Sequence, residues 1–90
     1  MKRFNAKIFG IVQGVGFRWI VVREAAKEFI AGYVRNLPDG NVEVEAQASL
    51  ESLERFIMAL QKGPPIGNVT KLELEWLPPD ESLIEFKIRF

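Results

Sequence analysis

Apolar residues at every second position mark the clearest elements of this chain. Val42, Val44, Ala46 and Ala48 alternate with Glu43, Glu45 and Gln47, the period of a strand with one wet face. Ile84, Phe86, Ile88 and Phe90 repeat the pattern against Glu85, Lys87 and Arg89. Within 69–77, Leu72, Leu74 and Trp76 alternate with Lys71, Glu73 and Glu75 until Pro78-Pro79-Asp80 ends the run. Near the start, Phe4, Ala6 and Ile8 alternate with Arg3, Asn5 and Lys7 and lead into the apolar stretch 9–12. Gln13-Gly14-Val15-Gly16 then breaks that strand.

Two segments change period. Leu50, Leu53, Phe56, Ile57 and Leu60 fall at helical spacing, with Ser49 as N-cap, Glu51 and Glu54 early, Lys62 late, and Gly63-Pro64-Pro65 as the stop. The segment 17–30 opens with the β-favouring run Trp19-Ile20-Val21-Val22, but continues through helix-favouring Arg23 to Glu28. Trp19, Val22, Ala26, Phe29 and Ile30 share one helical face, so a helix is predicted with that face inward. A short strand at 33–37 joins the Val42 strand through a tight hairpin at Leu37-Pro38-Asp39-Gly40-Asn41. The order is strand, helix, strand, strand, helix, strand, plus one short C-terminal strand. It predicts a single α+β domain over residues 1–90, a ferredoxin-like α/β sandwich whose mainly antiparallel sheet carries both helices on one face.

Composition narrows what such a domain can do. Hydrophobic residues are 48% and charged residues 27% of 90, which is enough to bury a core and too little for a second domain. Twelve basic and twelve acidic residues cancel, leaving no global field for nucleic acid or an anionic membrane. Histidine and cysteine are absent, so imidazole bases, thiolate nucleophiles, disulfides and the usual metal ligands are excluded together. No run approaches the roughly 20 apolar residues of a membrane span. A cytoplasmic protein, monomeric and without metal or cofactor, is the expectation.

Candidate chemistry concentrates in Gln13-Gly14-Val15-Gly16-Phe17-Arg18. Small residues at a strand-to-helix turn let successive N–H groups converge on one concavity, a nest that suits phosphate. Arg18, in the first helical turn, adds a planar fork of donors. Spacing alone equally allows a plain tight turn beside a solvated arginine. A Walker A loop is excluded because Val15 stands where its second glycine would be, and a dinucleotide fingerprint because Trp19 stands where its third would be. RNA recognition on the sheet is disfavoured by the acidic, aromatic-free run Val42-Glu43-Val44-Glu45-Ala46.

Val12 to Arg18, with Gly32-Tyr33-Val34-Arg35-Asn36, Pro38-Asp39-Gly40 and Val42-Glu43, resembles the acylphosphatase signature. Lys62-Gly63-Pro64-Pro65, the stretch 69–72 and Phe86-Lys87-Ile88 agree with it. The resemblance implies a small cytosolic hydrolase of ferredoxin-like fold, cleaving the carboxyl–phosphate bond of acyl phosphates without metal or cofactor. By matching position it implies that the backbone of Gln13, Gly14, Val15, Gly16 and Phe17, with Arg18, holds the phosphate, and that Asn36 orients the attacking water. Acyl phosphate and inorganic phosphate are the implied small-molecule partners. Asp39 is read as a turn residue, Glu43 and Glu45 as solvated, Trp19, Tyr33 and Trp76 as packing residues, and Arg23, Arg35 and Lys71 as surface charges.

The chain departs from the family pattern at four places. Glu28-Phe29 replaces a Leu-Gly at the end of the first helix, Val21 replaces a polar residue, Leu37 a threonine and Ala48 a glycine. All four raise apolar or helix-forming character, as in a thermostable or redesigned sequence. The competing expectation is a ferredoxin-like domain that binds phosphate with little or no turnover. A module of a larger carbamoyl-transferring enzyme is disfavoured by the length.

Overall fold

In the computed structural model, which describes residues 1–90, the chain runs β1 (Lys2–Ile11), α1 (Phe17–Lys27), β2 (Ala31–Asn36), β3 (Val42–Ala48), α2 (Leu50–Lys62), β4 (Asn68–Leu77) and β5 (Phe86–Arg89). The strands form one sheet in the order β4-β1-β3-β2-β5. All neighbours are antiparallel except β2 and β5, which run parallel at one edge. Register follows the apolar alternation: Ala6 opposes Val44 and Leu74, and Val34 opposes Val44, so small and branched side chains share one face. Phe4, Ile8, Val34 and Val44 pack there with Phe17 and Val21 of α1 and with Leu53, Phe56 and Leu60 of α2 in one core. Both helices therefore cover the same face, as the element order predicts.

The second helix behaves as read. Ser49 caps it, its hydroxyl accepting from the Ser52 N–H at 3.2 Å, and Gly63 closes it. The hairpin does too: Asn41 N–H donates to Asp39 Oδ1 at 3.0 Å and Leu37 N–H to the Asn41 carbonyl at 2.8 Å.

The first helix does not. It buries Phe17, Val21 and Ala25 and ends at Lys27 rather than Ile30; of the predicted face Ile30 is buried and Val22 packs against the core, while Trp19 and Phe29 are exposed at 67% and 93%. Apolar side chains occur on several sides of α1, so periodicity offers two candidate faces, and contact with the sheet selects the one with Phe17. The early end has a local cause. Ile30 N–H bonds the Ala25 carbonyl at 3.0 Å and Phe29 N–H the Ala26 carbonyl at 3.4 Å, a Schellman closure, with Phe29 in the left-handed region at φ 54°. Phe29 thus takes the glycine's conformation without being glycine.

Other expectations also change. Trp76 is half-exposed, its ring edge-on to Phe4 at 5.8 Å, and Tyr33 lies on the outer sheet face under the Arg89 guanidinium at 3.9 Å. Trp76 shares the helix-side face with Phe4, which it opposes, and packs at the rim of the core, whereas Tyr33 lies outside the layer between sheet and helices. Glu43 and Glu45 are half-buried, not freely solvated: Glu43 accepts from Arg35 and from Asn5 at 3.2 Å, and Glu45 from Arg3 at 3.1 Å. The last strand is shorter than its alternation, leaving Ile84 and Phe90 outside it.

Candidate functional site

Three segments meet at the end of the sheet where β1 and β2 finish. The first is the turn 13–16 between β1 and α1. Val12 and Phe17, both buried, anchor its two ends in the core; between them Val15 packs against that core, and Gly14 and Gly16 are exposed. Gly14 and Gly16 hold φ of 74° and 77°, a left-handed conformation that a β-carbon would strain, while the space around both is open. The turn can therefore curl with its N–H groups facing out.

Gly16 is the N-cap of α1 and offers no side-chain acceptor, and no acidic residue lies in the first turn. The helix's first internal closing bond is Ile20 N–H to the Gly16 carbonyl. The N–H groups ahead of Ile20 are left for an external acceptor, at the positive end of the helix.

Arg18 stands in this first turn, half-buried. None of the chain's ion pairs includes it. Its guanidinium lies over the Phe90 ring, 5.1 Å from the centroid, which steadies the group without neutralising it. Two kinds of anion donor, an uncapped helix start and a free arginine, so occupy the same turn.

Asn36 closes β2. Period two puts it on the side of Gly32 and Val34, toward the helices, opposite to Tyr33 and Arg35. Its Oδ1 is buried and accepts no hydrogen bond, the only buried side-chain polar atom so placed. An orphan acceptor of this kind costs about 1–3 kcal/mol, so its persistence asks for a functional reason. Asn36 and Ile8 both oppose Val42, which places Asn36 two strands, roughly 10 Å, from β1.

Gln13 bridges that gap. Its Nε2 donates to the carbonyls of Leu37 and Asn41, both at 2.8 Å, tying the turn to the base of the hairpin that follows Asn36. The sequence reading places only its backbone in the cradle; the side chain's role depends on a contact across 24 residues and has no local signal. The Phe90 contact with Arg18 is invisible for the same reason, since it exists only once β5 is laid beside β2.

The remaining acidic groups do not act here. The Lys7 ammonium at 2.6 Å and the Asn41 N–H hold the Asp39 carboxyl below the usual carboxylate range, so it serves the turn. Burial would raise Glu43, but its hydrogen bonds from Arg35 and Asn5 outweigh that and leave it lowered. No cluster of three or more acidic residues could hold a metal ion, and no helix is long and apolar enough to cross a membrane.

The arrangement suits a tetrahedral oxyanion with a water behind it: N–H donors and a guanidinium for the anion, and a fixed amide oxygen to accept from the water. Comparison with known proteins gives the family. The acylphosphatase family profile matches residues 4–88. An acylphosphatase of Thermococcus kodakarensis is 48% identical over 98% of both chains, and one of Chlorobaculum tepidum is 42% identical over 97% of this chain and 95% of its own. The crystal structure of acylphosphatase from Bacillus subtilis superposes with a TM-score of 0.96 at 36% identity, covering all of both chains. This chain, with its uncapped glycine turn, its free arginine and its orphan asparagine, belongs to the acylphosphatase family.

Proposed function

We propose that the chain hydrolyses acyl phosphates by direct attack of water on phosphorus, with Arg18 and the N–H groups of 13–18 holding the phosphate and Asn36 aiming the water. The buried Oδ1 of Asn36 carries the reading, because it is an acceptor with nothing to accept from until a water arrives. Phosphoryl transfer asks the protein for charge stabilisation and in-line placement more than for covalent chemistry. The water oxygen forms a bond to phosphorus as the bond between phosphorus and the carboxyl oxygen breaks. The leaving group departs as a carboxylate, the products are carboxylate and inorganic phosphate, and the water's second proton passes to solvent. A carboxylate needs no strong general acid, which fits a chain without histidine. Its lack of cysteine fits a reducing, cytosolic setting.

The test is phosphate release from benzoyl phosphate without added metal. Wild type is expected to turn over, and Arg18→Ala and Asn36→Ala to lose about 10²-fold or more in kcat/KM. Binding of inorganic phosphate at residues 13–18, seen as amide shifts, with no hydrolysis, would replace the enzyme by a phosphate-binding domain. An Asn36→Ala enzyme as fast as wild type would remove the water-orienting role.

A further inference from the structure

The Arg18 guanidinium enters no ion pair and no side-chain hydrogen bond; the group the fold sets against it is the ring of Phe90, at 5.1 Å. Phe90 is 99% exposed, so this ring adds nothing to the core. A cation without a counter-ion is paired with an aromatic ring without a packing role.

The sheet brings the ring to the level of the site. β5 runs parallel to β2, with Val34 opposite Ile88 and Arg35 opposite Arg89. One residue further along the two chains stand Asn36 and Phe90, at the spacing of neighbouring strands, about 5 Å. Alternation puts both on the helix side, Asn36 with Val34, and Phe90 with Phe86 and Ile88, which pack against the core. The residue before Phe90 is pinned on the other face, where the Arg89 guanidinium lies 3.9 Å from the centroid of the Tyr33 ring. Phe90 thus leaves the sheet beside Asn36 and meets Arg18.

We propose that Phe90 is a positioning residue for phosphate, its ring holding the Arg18 guanidinium in place by cation–π attraction, a role that rests on Arg18 being the phosphate-holding group. A ring attracts a guanidinium without neutralising it or taking up its N–H donors, so the planar fork stays available to phosphate oxygens. A carboxylate in the same place would compete with the phosphate for those donors. The attraction also restricts in advance the side-chain freedom that Arg18 loses on binding. In-line attack sets the acyl group on the far side of phosphorus from the water. Phe90 stands on the water's side with Asn36, so the ring acts on phosphate through Arg18 and does not seat the acyl group.

The test is binding of inorganic phosphate, and hydrolysis of benzoyl and acetyl phosphate, by the full chain and its Phe90→Leu, Phe90→Trp and Arg18→Ala variants. Phe90→Leu keeps an apolar side chain and loses the π face. It is expected to weaken phosphate binding and raise KM about two- to fivefold, equally for both substrates, with kcat and melting temperature unchanged. Phe90→Trp should bind phosphate at least as tightly as wild type. The Arg18 Nε–H resonance, shifted by the ring in wild type, should move to that of an unstacked arginine in Phe90→Leu and stay shifted in Phe90→Trp. Wild-type phosphate affinity in Phe90→Leu, beside lost affinity in Arg18→Ala, would overturn the role of Phe90 and leave that of Arg18 standing. Wild-type affinity in Arg18→Ala would remove both. A Phe90→Trp variant as weak as Phe90→Leu, a loss confined to benzoyl phosphate, or a matching fall in melting temperature would each overturn the proposal, assigning the ring to bulk, to the acyl group or to the fold.

Discussion

At the scale of the residue, Asn36 and Phe29 are both held at a cost, for different reasons. The buried Oδ1 of Asn36 lacks a partner, so removing it relieves an unsatisfied acceptor while deleting the proposed water-orienting group. Asn36→Ala is therefore expected to lower kcat without lowering the melting temperature; a variant equally destabilised and slowed would reassign Asn36 to structure. Phe29 is strained at φ 54° with its ring exposed. A left-handed residue with a β-carbon costs about 1–2 kcal/mol, part of which glycine gives back through its freer unfolded chain. Phe29→Gly should stabilise by about 1 kcal/mol, raising the midpoint by roughly 4–8 °C in a scan on dilute protein. An unchanged or lower midpoint would show that the ring contributes more than the strain removes. The site was legible in the sequence to the extent that it is local. Arg18 and the glycine turn are contiguous and Asn36 closes a recognisable block, whereas its orphan oxygen and the partners of Gln13 arise only when distant segments meet.

At the scale of the element, legibility followed how cleanly each element separates its faces. The helix α2 carries Leu53, Phe56 and Leu60 on one side with charge opposite; its cap and stop are as read, and of its predicted face only Leu50, at the N-terminal end, is exposed. α1 has apolar residues on two flanks, and no local rule says which of them meets the sheet. Type and spacing read Tyr33 and Trp76 as packing residues: Trp76 does pack, half-exposed, edge-on against Phe4 at the rim of the core, whereas Tyr33 lies on the outer face under Arg89. The element that matters most for the site is the turn before α1, and its position relative to β2 rests on the Gln13 amide. Replacing that amide leaves the Leu37 and Asn41 carbonyls without their donor. Gln13→Leu is expected to cost about 1–3 kcal/mol and to reduce kcat/KM as the cradle loosens from the hairpin. Should activity persist while stability falls, the tie would serve the fold alone.

At the scale of the whole molecule, zero net charge conceals a strongly organised outer sheet face. Arg3 reaches Glu45 at 3.1 Å and Asp80 at 4.0 Å, Asn5 and Arg35 both bond Glu43, and Lys7 meets Asp39 at 2.6 Å. The helix face supplies the core and this opposite face supplies a web of ion pairs. Exposed pairs contribute little one by one, but Glu43 is half-buried and bonded from both sides. Its carboxyl is lowered because the Arg35 and Asn5 bonds overcome the burial that would raise it; the Lys7 bond lowers Asp39, and the Ser82 hydroxyl and N–H lower Asp80. A carboxyl whose folded pKa lies below its unfolded value adds stability that is complete above the unfolded pKa and disappears as pH falls through the folded one. The melting temperature should hold from neutral pH down to about 5 and decline below about 4, where these three carboxylates take up protons. With no histidine in the chain, nothing of ordinary imidazole pKa should add a step between pH 6 and 8. Glu43→Gln should start from a lower midpoint at neutral pH and lose less on acidification, so that the two curves converge in acid. Parallel curves for wild type and Glu43→Gln across that range would show that the web on the outer face does not govern the acid limit of the fold.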